Sequence, residues 1–165
     1  MALPDPVDQS QKAPLRLSRR GILVLGVAGV ATGGAVAAQW YNVLAENGAE
    51  ALSPPEAHEA AAAGAVLLVD IRRPDEWSRT GVGEGAVPLD MRRQDFEDAL
   101  LVAAEGNKAL PIALICARGV RSRRMSERLK AAGFTRIIDV PEGMLGSGAG
   151  PGWLRRGLPV VEPVS

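Results

Sequence analysis

The sequence predicts an α/β domain built on a parallel sheet with helices on both faces, preceded by an N-terminal hydrophobic helix. Three observations carry the prediction. Short apolar runs at 65–70, 109–115 and 136–140 alternate with helical patterns, the order that crossovers between parallel strands require. Two of those runs, AVLLVD and ALPIALI, are apolar almost throughout, as strands covered on both faces are. The third observation is an uncharged stretch of 18 residues, Gly21–Ala38, unmatched elsewhere in the chain.

Residues 1–20 are polar and carry Lys12, Arg16, Arg19 and Arg20. At ~1.5 Å per residue, a helix over Gly21–Tyr41 spans ~31 Å, about one hydrocarbon core. Two export readings fit residues 21–41. As a cleaved signal peptide, Ser18-Arg19-Arg20-Gly21-Ile22-Leu23 resembles a twin-arginine export signal, and Ala35-Val36-Ala37 is a small-x-small cleavage pattern. As a retained transmembrane anchor, Trp40 and Tyr41 take the far interface and the arginines stay inside. A buried helix of a soluble protein fits less well, because Gly21, Gly26, Gly29, Gly33 and Gly34 weaken a helix in water. The export readings place the protein in the inner membrane facing the periplasm, or free in the periplasm. They make residues 42–52 a linker and 53–165 the domain.

Ser53-Pro54-Pro55-Glu56 is a helix start: Ser53 as N-cap, Pro54 at the first helical position, Glu56 closing a capping box. The Ala-rich helix ends at Gly64, and a buried strand follows over 65–70. A short turn or helix surrounds Glu76-Trp77. Gly81-Val82-Gly83-Glu84-Gly85 leads into a short strand at Ala86-Val87. Residues 94–105 read as a helix with Phe96, Leu100 and Ala103 on one face. The strand at 109–115 ends at Cys116, the loop Ala117–Arg121 follows, and a helix runs from Ser122 to about Ala132 with Met125, Leu129 and Ala132 inward. Gly133 stops it. After the strand at 136–140, residues 141–152 form a Gly/Pro-rich loop, and Trp153 opens a terminal segment.

The 19 Lys and Arg balance 19 Asp and Glu, giving a formal net charge of +0. A chain without a basic field is not read as a nucleic-acid binder. A single cysteine, Cys116, excludes an internal disulfide framework, and no cluster has metal-ligand spacing. A single histidine, His58, gives little support to a serine–histidine relay.

Cys116 ends a buried strand and stands just before a helix, and ligands of open parallel sheets bind at the carboxyl ends of strands. Helix N-terminus, inward loop amides and the guanidinium groups of Arg118 and Arg121 all favour the thiolate, which is the nucleophile. Cys116 is then armed without a histidine base. The competing reading is an inert core cysteine, for which two flanking arginines have no use.

Cys116-Ala117-Arg118-Gly119-Val120-Arg121-Ser122 resembles the active-site loop of rhodanese-domain sulfurtransferases. Leu68-Val69-Asp70-Ile71-Arg72 with Glu76-Trp77 resembles the first family signature, Gly85-Ala86 the Gly-Ala after it, and Trp153-Leu154-Arg155-Arg156-Gly157-Leu158-Pro159 the domain ending. The resemblance covers about residues 52–161. One departure is Gly81-Val82-Gly83, where many members have Gly-His-Ile; it bears on local packing.

The resemblance implies a rhodanese-like sheet and a double displacement. Cys116 takes the outer sulfur of a donor such as thiosulfate, and sulfite leaves. The persulfide is held by Ala117, Arg118, Gly119, Val120, Arg121 and Ser122, then discharged to a thiol or cyanide. No metal or organic cofactor is implied. Two loop arginines favour a dianionic donor over mercaptopyruvate. Asp70 and Arg72 stand where the family uses a structural ion pair, with Glu76 expected as a partner for Arg72. Phosphatases and arsenate reductases of this fold use Cys-x5-Arg. Arg121 makes this loop Cys-x4-Arg, tighter and better matched to sulfur than to phosphate. The second class of function is a non-enzymatic sulfur relay or protein-interaction module. Arg92 and Arg93 read as surface residues, and Arg123, Arg124, Arg128 and Lys130 with Glu127 as the wet face of one helix. Trp77 and Trp153 read as packing residues, and His58 as an exposed helix residue.

Overall fold

The computed structural model describes residues 51–163. The polar segment 1–20, the hydrophobic helix expected over 21–41 and most of the linker lie outside the described residues. Helix α1 (Pro54–Ala62) opens as its sequence requires: the Ser53 N–H and hydroxyl both donate to Glu56 Oε2, at 2.8 and 2.6 Å. It closes where the Ala65 N–H donates to the Ala60 carbonyl at 2.9 Å. That closure delays strand β1 (Leu67–Asp70) by two residues relative to the apolar run.

Helix α2 (Pro74–Thr80) follows, then β2 (Val82–Gly83) and β3 (Ala86–Pro88). Helix α3 (Phe96–Ala103) is shorter than its sequence pattern, since residues 94–95 form a turn before it and 104–106 a turn after it. Strand β4 (Ile112–Ile115) begins only after Pro111, which has no N–H to give the ladder. Helix α4 (Val120–Ala131) starts two residues earlier than expected, because Gly119 at φ +80° turns the chain directly from the loop into the helix. Strand β5 (Ile137–Val140), helix α5 (Gly152–Arg155) and β6 (Val160–Val161) complete the order.

Four strands form one parallel sheet in the order β3-β1-β4-β5. Side chains alternate between its faces. Val69, Ile112, Leu114 and Cys116 face Phe96 and Leu100 of α3 and Met125 and Leu129 of α4. Leu68, Ala113, Ile115 and Val140 face Ala57 and Ala60 of α1 and Trp153 of α5. The expectation of helices on both faces therefore holds. The outer strand β3 is three residues long and ends in Pro88, with Val87 exposed. β2 and β6 pair antiparallel as a separate ribbon. Gly83 is required there: a Cβ would lie 2.8 Å from the Trp153 ring. Among the described residues no helix is long and apolar enough to cross a membrane.

Candidate active site

Strand register brings the carboxyl ends of the sheet to one level. Asp70 is opposite both Pro88 and Ile115, and Ile115 is opposite Val140. Cys116 leaves the central strand β4 at this edge and turns toward the α3/α4 layer, where it is 1% exposed. Its Sγ lies 3.5 Å from Ser122 Oγ, and that hydroxyl donates to the Gly119 carbonyl at 3.1 Å. The hydroxyl has one proton and two lone pairs. With its proton on the carbonyl it accepts from a thiol; rotated toward sulfur it donates to an anion there.

The backbone of the loop has a defined polarity. The carbonyls of Cys116 and Ala117 turn away and accept from the N–H groups of Met144 and Leu145, each at 2.9 Å. The N–H groups of residues 117–122 have no hydrogen-bond acceptor among the described residues. Two glycines permit this packing. A Cβ on Gly119 would stand 2.2 Å from the Pro141 carbonyl oxygen, and one on Gly143 (φ +66°) would stand 2.6 Å from the Ala117 carbonyl.

The two loop arginines have different fates. Arg121 makes a two-pronged ion pair with Glu76, Nη1 and Nη2 donating at 2.7 and 2.6 Å. Glu76 also accepts from the Arg73 N–H at 3.1 Å. The Arg121 guanidinium holds the Glu76 carboxyl at about 2, well below its ordinary 4.5. Glu76 in turn raises the pKa of Arg121, first through its hydrogen bonds and then through its charge. Arg118 is exposed and has no carboxylate partner among the described residues. It lines a groove of about 310 Å³ with Val120, Arg123, Arg124, Pro141 and Ser147, a groove that Cys116 does not line.

The expected Arg72–Glu76 pair is a correction. Arg72 pairs with Asp70, Nε donating to both carboxylate oxygens at 2.9 Å and Nη2 to Oδ2 at 2.6 Å. Its other donors reach Thr80 Oγ1 at 2.8 Å and the Gly81 carbonyl at 2.7 Å. The only bond to Glu76 is a long one, 3.5 Å, to its carbonyl. The cause is burial: both Arg72 and Asp70 are shut off from solvent, and a buried guanidinium needs every donor matched. Asp70, the last residue of β1, presents both oxygens at that depth, while the Glu76 carboxylate pairs with Arg121 of the loop. Asp70 and Arg72 thus brace the end of β1, and Glu76 braces Arg121.

His58 is also corrected. It is half-buried rather than exposed, edge-on to Trp153 with 5.5 Å between ring centroids, and hydrogen-bonded to Glu84 at 3.2 Å. Trp153 and Trp77 are buried, as packing residues are. Arg92 and Arg93 are surface residues paired with Asp90 and Asp95. Arg123, Arg124, Glu127, Arg128 and Lys130 form the exposed face of α4. No three His, Cys, Asp or Glu side chains cluster as a metal site among the described residues.

The rhodanese-like domain matches residues 53–146, more than half of the chain. The chain belongs to the rhodanese-like domain family. Solved structures of the same fold include the polysulfide-sulfur transferase homodimer of Wolinella succinogenes, 22% identical with a TM-score of 0.54, covering 83% of this chain and 89% of that one. The thiosulfate sulfurtransferase of Pseudomonas aeruginosa is 20% identical with a TM-score of 0.55, over 79% of this chain and 23% of that longer one. A Rhodopseudomonas palustris protein described as of unknown function and a "possible tyrosine phosphatase" is 23% identical with a TM-score of 0.51, over 73% and 91% of the two chains. At these identities the likeness is one of fold. No curated protein matches the chain.

Proposed function

We propose that this rhodanese-like domain is a sulfurtransferase that carries sulfane sulfur as a persulfide on Cys116. One observation carries the reading: the backbone N–H groups of residues 117–122 lack an acceptor among the described residues, beside the cysteine that follows β4. Unmatched N–H groups around a sulfur favour its anionic form, whether thiolate or persulfide. Family membership supports sulfur transfer in general. Donor, acceptor and the roles of individual residues are our assignment.

In the first half-reaction the Cys116 thiolate attacks the outer sulfur of thiosulfate or a similar dianion. The donor's S–S bond breaks, sulfite leaves with the electron pair, and Cys116 holds a persulfide anion. In the second, a thiolate or cyanide attacks the outer sulfur and Cys116 departs as thiolate. Ser122 turns its proton to the charged sulfur, and the N–H groups of Ala117, Arg118, Gly119, Val120 and Arg121 surround it. Arg118 is the loop cation that meets the donor, because Arg121 is matched by Glu76. Cys116 is 1% exposed, so sulfur exchange includes a movement that uncovers it.

Intact mass after thiosulfate treatment tests the proposal. A gain of about 32 Da, one sulfur atom, that Cys116→Ser abolishes is expected. Steady release of thiocyanate with cyanide distinguishes an enzyme from a relay or an interaction module. Absence of sulfur uptake, or hydrolysis of an aryl phosphate in its place, overturns it.

We also propose export. Residues 21–41 act as signal peptide or membrane anchor, 42–52 link, and 53–165 work on the periplasmic side. N-terminal sequencing of the mature protein separates the two forms: a start near Ala38 means cleavage, and retained Met1 or Ala2 means an anchor.

A further inference from the structure

The groove on the outer side of the catalytic loop is lined by Arg118, Arg123 and Arg124, and no Asp or Glu is among its lining residues. Most arginines of the domain meet a carboxylate. Arg72, Arg73, Arg79, Arg92, Arg93, Arg121, Arg128 and Arg156 all do. Arg118 and Arg124 form no ion pair among the described residues, and Arg123 feels Asp139 only through its field. Three cations that make no ion pair among the described residues, set around one concavity, favour an anion carrying more than one negative charge.

Size narrows the ligand class. The groove holds about 310 Å³. With liquid water occupying about 30 Å³ per molecule, that is room for roughly ten non-hydrogen atoms. Thiosulfate fills half of it. Val120, which is 60% exposed, and Pro141 add apolar wall beside the arginines, suited to a short hydrocarbon backbone. Arg118 belongs both to this groove and to the loop that follows Cys116, so the groove and the cysteine share that loop.

We propose that this groove binds the sulfur acceptor, and that the acceptor is a small thiol bearing two carboxylates. The proposal rests on the sulfur-transfer reading of Cys116. The carboxylates lie on the three arginines, and the same positive field favours the acceptor's thiolate. That thiolate attacks the outer sulfur of the persulfide, the bond from that sulfur to Cys116 breaks, and Cys116 leaves as thiolate. The product is the acceptor's own persulfide anion, with charge and electrons conserved.

The test uses the whole chain, loaded with sulfur by thiosulfate, and compares its discharge by mercaptosuccinate and by uncharged thioglycerol. The expected result is a discharge rate ratio that favours mercaptosuccinate and falls about tenfold in Arg123→Glu/Arg124→Glu and at high salt. A ratio unchanged by charge reversal overturns the proposal. Calorimetric titration of Cys116→Ser with mercaptosuccinate needs no sulfur transfer. Binding that succinate shares and the same charge reversals abolish supports the groove, and no binding, or binding that inorganic phosphate matches, overturns the dicarboxylate assignment. A chain that never loads sulfur but binds mercaptosuccinate through Arg123 and Arg124 sinks the sulfurtransferase reading while leaving the groove as a dicarboxylate site.

Discussion

Glu76→Gln severs the tie between helix α2 and the loop that follows Cys116. The structure sets the size of the effect. Arg121 lowers the Glu76 carboxyl from 4.5 to about 2, and at about 1.4 kcal/mol per pH unit that difference is ~3 kcal/mol of folding free energy at neutral pH. The two side chains are 13% and 30% exposed. Partial solvent screening brings the expected loss to about 2–3 kcal/mol, between surface and buried pairs. With a urea slope of about 1–3 kcal/mol per molar, the unfolding midpoint falls by ~1–2 M. The sign with pH follows from a carboxyl lowered by folding. Its stabilisation is complete above the unfolded value of 4.5 and disappears as pH falls through about 2. At pH ~3 less than half remains. Urea titrations of wild type and Glu76→Gln at pH 7 and pH 3, followed by tryptophan fluorescence, measure both numbers. Equal midpoints at pH 7, or a gap that stays constant down to pH 3, refute the reasoning.

Three more outcomes are expected. Asp70→Asn leaves the buried Arg72 guanidinium without its counter-charge and costs about 3–5 kcal/mol in chemical denaturation, part of which returns in Asp70→Asn/Arg72→Met. Gly119→Ala forces a positive φ on an L-residue and drives its Cβ onto the Pro141 carbonyl; a stability loss of about 2 kcal/mol or more and slower sulfur uptake by Cys116 are expected. Ser122→Ala removes the hydroxyl 3.5 Å from the sulfur. A hydrogen bond to a charged atom is worth about 1.5–3 kcal/mol, so stopped-flow loading by thiosulfate slows roughly tenfold or more.

The parts of this domain written in local patterns were readable in advance. The cap at Ser53 and Glu56, the fully apolar strands, the inward face of Met125 and Leu129 and the placing of Cys116 at a strand end each depend on neighbours in the chain. The Glu76–Arg121 pair spans 45 positions, and only the sheet order brings its ends together. The Asp70–Arg72 pair was expected only through the resemblance to the rhodanese family. Glu76 was expected as the partner of Arg72, yet Arg72 lies before α2 and is buried. β2 and β6, two residues each, are too short to show any period. The groove was hidden differently: its arginines were legible as the wet face of α4, but the turn at 147–149 that closes the far wall was not.

The exposed rim of the sheet offers little to a second copy. β3 gives three residues, and the last of them is an imino acid that has no proton to donate. A foreign strand aligned there would find its ladder broken almost at once. Molecules crowded side by side are thereby spared runaway edge-to-edge polymerisation through this margin.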